Sequence, residues 1–191
     1  MRILQTILIA FILNNFFVNK VNSQTTLTQE YGVSVGLLTE GSFYISELDE
    51  NFGLESGFTL HGFYDHYITE KFSIGGNISV SFPSLEILDE NVTFYEFALA
   101  LKPRFDVSDK VTYKPGFNIG YRIINAPDID EEGGTIQGLG LNLTNELQFH
   151  IDQGFTPFFD LGFISQPAGG NDDFNVTFSP LIMIRVGVVF N

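Results

Sequence analysis

Between Val111 and Ile123 the chain reads V-T-Y-K-P-G-F-N-I-G-Y-R-I, two interleaved rows of different chemistry. One row holds Val111, Tyr113, Pro115, Phe117, Ile119, Tyr121 and Ile123. The other holds Thr112, Lys114, Gly116, Asn118, Gly120 and Arg122. Successive side chains of a strand point to opposite faces, so this is one strand with an apolar wall and a polar, partly charged wall. At thirteen residues it is long for a soluble domain. It suits a tilted strand crossing a bilayer, which needs roughly 9–11.

The pattern recurs and predicts eight strands, near 31–38, 56–66, 72–82, 93–105, 111–123, 136–149, 155–165 and 175–190. In the third, Phe72, Ile74, Ile78, Val80 and Phe82 oppose Ser73, Gly75, Asn77, Ser79 and Ser81. The eighth sets Val176, Phe178, Ile182, Ile184, Val186, Val188 and Phe190 against Asn175, Thr177, Ser179 and Arg185. The second is the least clean, because His61 and Phe63 share a face. Connectors alternate as well. Those after strands two, four and six are short (Tyr67–Lys71, Asp106–Lys110, His150–Gly154), and the others are longer and acidic. That is the asymmetry of an outer-membrane barrel, with short periplasmic turns and longer external loops.

A soluble eight-stranded barrel has the same period, but it needs a charged outer face and an apolar lumen. Here the non-apolar row is mostly Gly, Ser, Thr and Asn, which suits a narrow interior filled by small side chains and a few ion pairs. Aromatics also gather in two rings. Tyr64, Phe72, Phe105, Tyr113 and Phe155 fall near the short turns, and Phe58, Phe82, Tyr95, Tyr121 and Phe178 near the loops. Such rings are the expected interfacial girdles. The fold class predicted is therefore all-β, an eight-stranded antiparallel up-and-down transmembrane barrel.

Residues 1–23 read as a signal peptide: a basic start at Arg2, an apolar run to Val18 and small residues before Gln24. Residues 24–191 form the barrel domain. Arg2 and Lys20 leave with the signal, so seven basic residues face 23 acidic ones, a net charge of −16. That acidity argues against nucleic acid, whose phosphates demand clustered Lys and Arg. With no cysteine there is no lipid-modified cysteine, disulfide or thiolate chemistry.

The segment Gly57–Phe82, GFTLHGFYDHYITEKFSIGGNISVSF, resembles the second and third strands of the bacterial outer membrane protein β-barrel domain family, the relatives of OmpX and of the OmpA transmembrane domain. Tyr95–Ile123, with KPRFDVSDKVTYKPGFNIGYRI, resembles the next hairpin. The ending Arg185-Val-Gly-Val-Val-Phe190-Asn191 is similar to the terminal signal read by the barrel-assembly machinery, with Asn191 as a departure. The resemblance implies a bacterial outer-membrane location, lipids and that machinery as partners, and no specified activity. No tethering domain is expected after Asn191.

Inward positions hold His61, Asp65, Glu96, Lys102, Arg104, Lys114, Arg122, Glu146, Asp160 and Arg185. Lys102, Lys114, Glu146, Asp160 and Arg185 fall at similar heights on five consecutive strands and are expected to meet as a structural ion-pair network, since buried charges persist only when paired. No enzyme is expected: His66 and His150 lie at the short-turn end and His61 nearer that end than the rim, so no histidine reaches a nucleophile among the loops. Asp128, Asp130, Glu131 and Glu132 lack the spacing of a calcium loop and read as a solvated loop; no metal or cofactor is expected. Asn77, Asn91, Asn142 and Asn175 match glycosylation tripeptides by chance, because Asn77 and Asn142 face the lumen. Phe43, Tyr44 and Ile45 extend strand one above the membrane. The predicted function is a non-enzymatic outer-membrane barrel with a plugged polar lumen, whose long acidic loops present a surface for adhesion, an extracellular ligand or envelope maintenance. A narrow pore is the alternative, and a lipid-A-modifying enzyme a more distant one.

Overall fold

The computed structural model describes residues 28–85, 90–126, 134–151, 155–171 and 175–190. The predicted signal peptide and the Asp128–Glu132 and Asp172–Asp173 acids lie outside them, as do Glu86, Asp89 and Asn191. Eight long strands form the wall: one (Gln29–Leu38), two (Gly57–Thr69), three (Phe72–Phe82), four (Thr93–Pro103), five (Val111–Ala126), six (Gly134–Phe149), seven (Thr156–Gly170) and eight (Val176–Phe190). Each pairs antiparallel with the next in sequence. Strand one also pairs with strand eight, from Tyr31↔Phe190 to Leu38↔Met183. The barrel is closed. Closure leaves no strand edge unpaired, which is the condition for β-structure to sit in hydrocarbon.

The predicted alternation holds through the membrane segment. Val33, Val35, Leu60, Ile78, Phe97, Leu99, Phe117, Ile119, Leu143, Phe159, Phe163, Ile184 and Val186 face outward and are exposed. An exposed apolar belt on a closed barrel has lipid as its solvent. Phe105 stacks on Tyr113 with ring centres 6.3 Å apart, and Tyr31 on Phe190 at 5.7 Å, both at the short-turn margin. Phe58, Phe82, Tyr95 and Tyr121 mark the other margin.

Strands five and six run 16 residues each, well beyond the roughly 9–11 that a tilted span requires. The surplus rises above the belt and meets the loops in an outer cap. Gly41–Ile45 continues strand one after a break at Thr39–Glu40 and stays paired to strand eight through Phe43↔Phe178, as the expected extension of strand one requires. Glu50–Leu54 folds back on it, and Leu54 bridges to Leu85. Ser84–Leu85 pairs with Glu90–Asn91, and the Val92 amide donates to Pro83 O at 2.8 Å just before strand four begins.

Inside the cap the side chains reverse. Phe43, Ile45, Leu54, Leu85, Val92, Phe94, Ile124, Ile136, Ile164, Val176, Phe178, Leu181 and Met183 form one buried apolar core. Outward positions at that height, such as Asn125, Thr135, Gln137, Thr177 and Ser179, are polar and exposed. Two expectations are corrected here. Val176 and Phe178 face inward rather than to lipid, and Phe178 belongs to the core and not to a girdle. The alternation of strand eight breaks at Ser179–Pro180, where both residues are exposed between inward Phe178 and Leu181. Proline has no amide for the ladder. Ser179 and Thr39 side chains fill in: Ser179 Oγ donates to Ser42 O at 2.8 Å, and Ile182 N donates to Thr39 Oγ1 at 3.1 Å.

Candidate functional site

Among the described residues, the lumen of the membrane segment gathers the buried charges. Four cations (Lys102, Lys114, Arg122, Arg185) and five carboxylates (Glu30, Asp65, Glu96, Glu146, Asp160) are buried in it. They sort into three groups.

The first lies nearest the short turns. Lys114 Nζ donates to Glu30 Oε2 at 2.5 Å and to Asp65 Oδ2 at 3.0 Å. Lys102 Nζ donates to the same Asp65 oxygen at 2.9 Å and stands 3.8 Å from Glu146 Oε2. Gln148 Nε2 closes the ring, donating to Glu146 Oε1 at 2.7 Å and Glu30 Oε2 at 3.2 Å. Room for Asp65 comes from strand three. A Cβ at Gly75 would sit 2.2 Å from Asp65 Oδ1, so that glycine is a requirement of the network. The shared face of His61 and Phe63 is explained too. Phe63 is buried, and Lys102 Nζ lies 4.1 Å from its ring centre, a cation–π contact that adds to its two carboxylates.

The second group is Arg185 with Asp160. The guanidinium donates to Asp160 Oδ2 through Nε at 3.0 Å and through Nη2, while Asn145 N donates to Asp160 Oδ1 at 3.0 Å. In the third, Arg122 Nε donates to Glu96 Oε2 at 2.9 Å, and Nη2 donates to Glu96 and, at 3.1 Å, to Asn142 Oδ1. Asn142 Nδ2 returns a bond to Glu96 Oε1. Between the groups is a void of about 20 Å³ lined by His61, Asn77, Asn118 and Arg185 among others, space for about one water.

Of the five residues expected to meet, Lys102, Lys114 and Glu146 do so. Asp160 and Arg185 form a pair of their own, because strands seven and eight are neighbours and Asp160↔Arg185 are directly opposed. Arg104 keeps its inward position at the short-turn mouth of the lumen, with its guanidinium 5.8 Å from the ring centre of buried Tyr67, but stands apart from the network. It sits between Pro103 and Phe105 at the short-turn end and pairs with Asp106 at 3.0 Å. Glu30, the nearest carboxylate to Lys114, is missing from the expected set because strand one begins two residues earlier than its hydrophobic pattern.

Below the belt, Thr112 Oγ1 donates to Asp106 Oδ1 at 3.0 Å and lies 2.8 Å from His150 Nε2. With its one proton on the carboxylate, this hydroxyl accepts from the imidazole. A nucleophile giving its proton to a base requires the opposite. Partial burial pushes the Asp106 carboxyl up, but hydrogen bonds from Arg104 and Thr112 outweigh it and hold Asp106 below the usual carboxylate range. On the cap, hydrogen bonds from Asn175 N (2.7 Å) and Nδ2 (2.6 Å) hold Glu47 low as well. No cluster of His, Asp and Glu suited to a metal ion occurs among the described residues.

A closed eight-stranded barrel with a lipid-facing belt, aromatic margins and a charged lumen has the fold of a small transmembrane barrel of the outer-membrane type. Solved structures agree on the fold. Neisserial surface protein A superposes with a TM-score of 0.59 at 9% identity, covering 85% of this chain and 95% of that one. The outer membrane protein OprG from Pseudomonas aeruginosa gives 0.58 at 8% identity, covering 86% and 96%. No protein-family model and no curated protein matches the sequence.

Proposed function

We propose that the protein is a non-enzymatic barrel whose lumen is closed to solutes and whose outer cap presents a binding surface, serving adhesion, partner binding or envelope maintenance. The observation that carries this reading is two closures in series. The Lys102–Lys114 layer crosses the lumen near the short turns, and the apolar core around Phe43, Phe94 and Phe178 fills it above the belt. An ion cannot pass the first without breaking buried pairs, nor the second without shedding its water.

The cap surface supports a partner with cationic character. Its segment Thr39–Gly57 carries Glu40, Glu47, Asp49, Glu50 and Glu55 and no Lys or Arg, a single-sign field that steers positive ligands. The outward, stacked Phe190 suits recognition by the barrel-assembly machinery, and the belt suits outer-membrane lipids. The non-enzymatic reading is supported by the reversed Thr112–His150 bond and by the burial of the one serine–histidine contact described, Ser34 Oγ with His61 Nδ1 at 3.1 Å, inside the lumen.

Planar-bilayer recording of the purified protein tests the closure. The expected result is no steady open channel at moderate voltage. A steady conductance would replace this reading with that of a narrow pore, and acylation or deacylation of lipid A by the protein would replace it with an enzyme.

A further inference from the structure

Most glycines of the membrane segment are required by the fold. A Cβ at Gly36 would lie 2.1 Å from Ile184 O, and one at Gly187 would lie 2.3 Å from Val33 O. Gly62 differs. It faces lipid between inward His61 and Phe63, its backbone is ordinary strand, and an added Cβ would meet nothing nearer than Ile78 Cγ1 at 3.7 Å. Glycine weakens a strand interior and marks places where another molecule approaches the backbone closely. The fold needs neither Gly62 nor Gly76, and of the two only Gly62 lines a groove.

The groove measures about 580 Å³ and opens on the lipid face. Gly62 is its floor, and Val33, Val35, Leu60, Ile78, Phe97 and Val188 are among its walls. Strands one and eight contribute only valines here, whereas the far side of the barrel is built from Phe117, Leu143, Phe159 and Phe163. Along strands one and eight beside Gly62 the outward side chains are therefore smaller than those opposite.

We propose that this groove seats one acyl chain of an outer-membrane lipid. It lies inside the belt, between Tyr64 toward the short turns and Phe58 and Tyr95 toward the cap, so hydrocarbon is what meets it. Ser34, His61 and Glu96 also border it, but their side chains are buried on the inward rows, so the lipid-facing walls offer nothing to a headgroup. A second copy is a poor occupant. Two-fold pairing would set groove against groove and leave a void, and a ridge from the far side would make a head-to-tail contact that closes only by chance of rotation. A flexible chain fills a concave strip without either difficulty.

Native mass spectrometry of the protein in mild detergent, with dipalmitoyl phosphatidylethanolamine as probe, tests the proposal. The wild-type barrel should retain one lipid. Gly62→Phe should retain it at least about tenfold less, a difference of about 1.4 kcal/mol. Gly76→Val is the control. Gly76 also faces lipid, a Cβ there meets only Ala98 O at 3.9 Å, and it is not part of the groove. This variant should bind as wild type does. Both should keep the heat-modifiable gel migration of a folded barrel; if Gly62→Phe does not, Gly62→Leu provides the same comparison. Equal retention by wild type and the Gly62 variant overturns the proposal, as does equal loss in both glycine variants. So does high-yield disulfide dimerisation of Gly62→Cys in vesicles of the same lipid, which would make the groove a subunit interface.

Discussion

Along strand five, Phe117 and Ile119 point to lipid while Lys114 and Asn118 point inward; a few residues further on, Asn125 is exposed and Ile124 is buried. The same exchange occurs on strand six between Leu143 with Asn142 below and Thr135 with Ile136 above. In both halves the outer face matches its solvent, hydrocarbon below and water above. The inner faces follow from what remains. In the cap, burial of Phe, Leu and Ile away from water is itself the driving force. In the membrane segment, burying apolar side chains inside the barrel would gain little over leaving them in lipid. The interior there is held by ion pairs, each of which is only as good as its partner.

The difference can be broken most forcefully in the lower half. Lys114→Met leaves Glu30 and Asp65 buried with only Lys102 and Gln148 to answer them, and should cost about 3–5 kcal/mol in a urea unfolding series in detergent. Lys102→Met should also lower the melting temperature, but less, because Lys114 still holds both Asp65 and Glu30. An unchanged melting point in both would mean the pairs contribute nothing to the barrel.

A cut into the apolar core of the cap should behave differently. Phe178→Ala removes a ring packed against Phe43 and Phe94, with centres 5.4 Å away from each. About 3 kcal/mol of local stability should be lost, read as faster amide exchange across the Phe43–Phe178 ladder with the strand five and six amides of the belt unaffected. Equal acceleration in both halves would show that the two are a single cooperative unit.

The smallest effect concerns the cap margin and pH. Because Glu47 is held below its ordinary value, its contact with Asn175 contributes stability above the unfolded carboxylate range and loses it as pH falls through the lowered folded value. Exchange at the Asn175 amide, corrected for intrinsic rate, should accelerate at acid pH, and Glu47→Gln should flatten that dependence. Asp106 should follow the same sign at the short turns.

The eight strands, the connector asymmetry and the lipid-facing row were legible in the sequence because a pleat has period two and the belt imposes its chemistry on every strand. Lys102, Lys114 and Glu146 were legible because turn-to-residue counts convert to height on antiparallel strands. Glu30 was not: its neighbour Gln29 gives no apolar signal to extend the strand. The cap core was misread for a deeper reason. Phe94, Ile124, Ile136 and Ile164 sit on the inward rows near the loops, where a uniformly polar lumen was expected, and the facing of Phe178 depends on the break at Ser179–Pro180, which alternation alone does not register.

The reversal of faces is tested most directly by paramagnetic broadening along strand six, with the barrel in lipid nanodiscs. A lipid-soluble nitroxide should broaden signals around Leu139, Leu143 and Leu147 and spare Thr135 and Gln137, which a water-soluble agent should broaden instead. Broadening of Thr135 and Gln137 by the lipid-soluble probe would place the cap within the bilayer and contradict the division of the barrel into two oppositely faced halves.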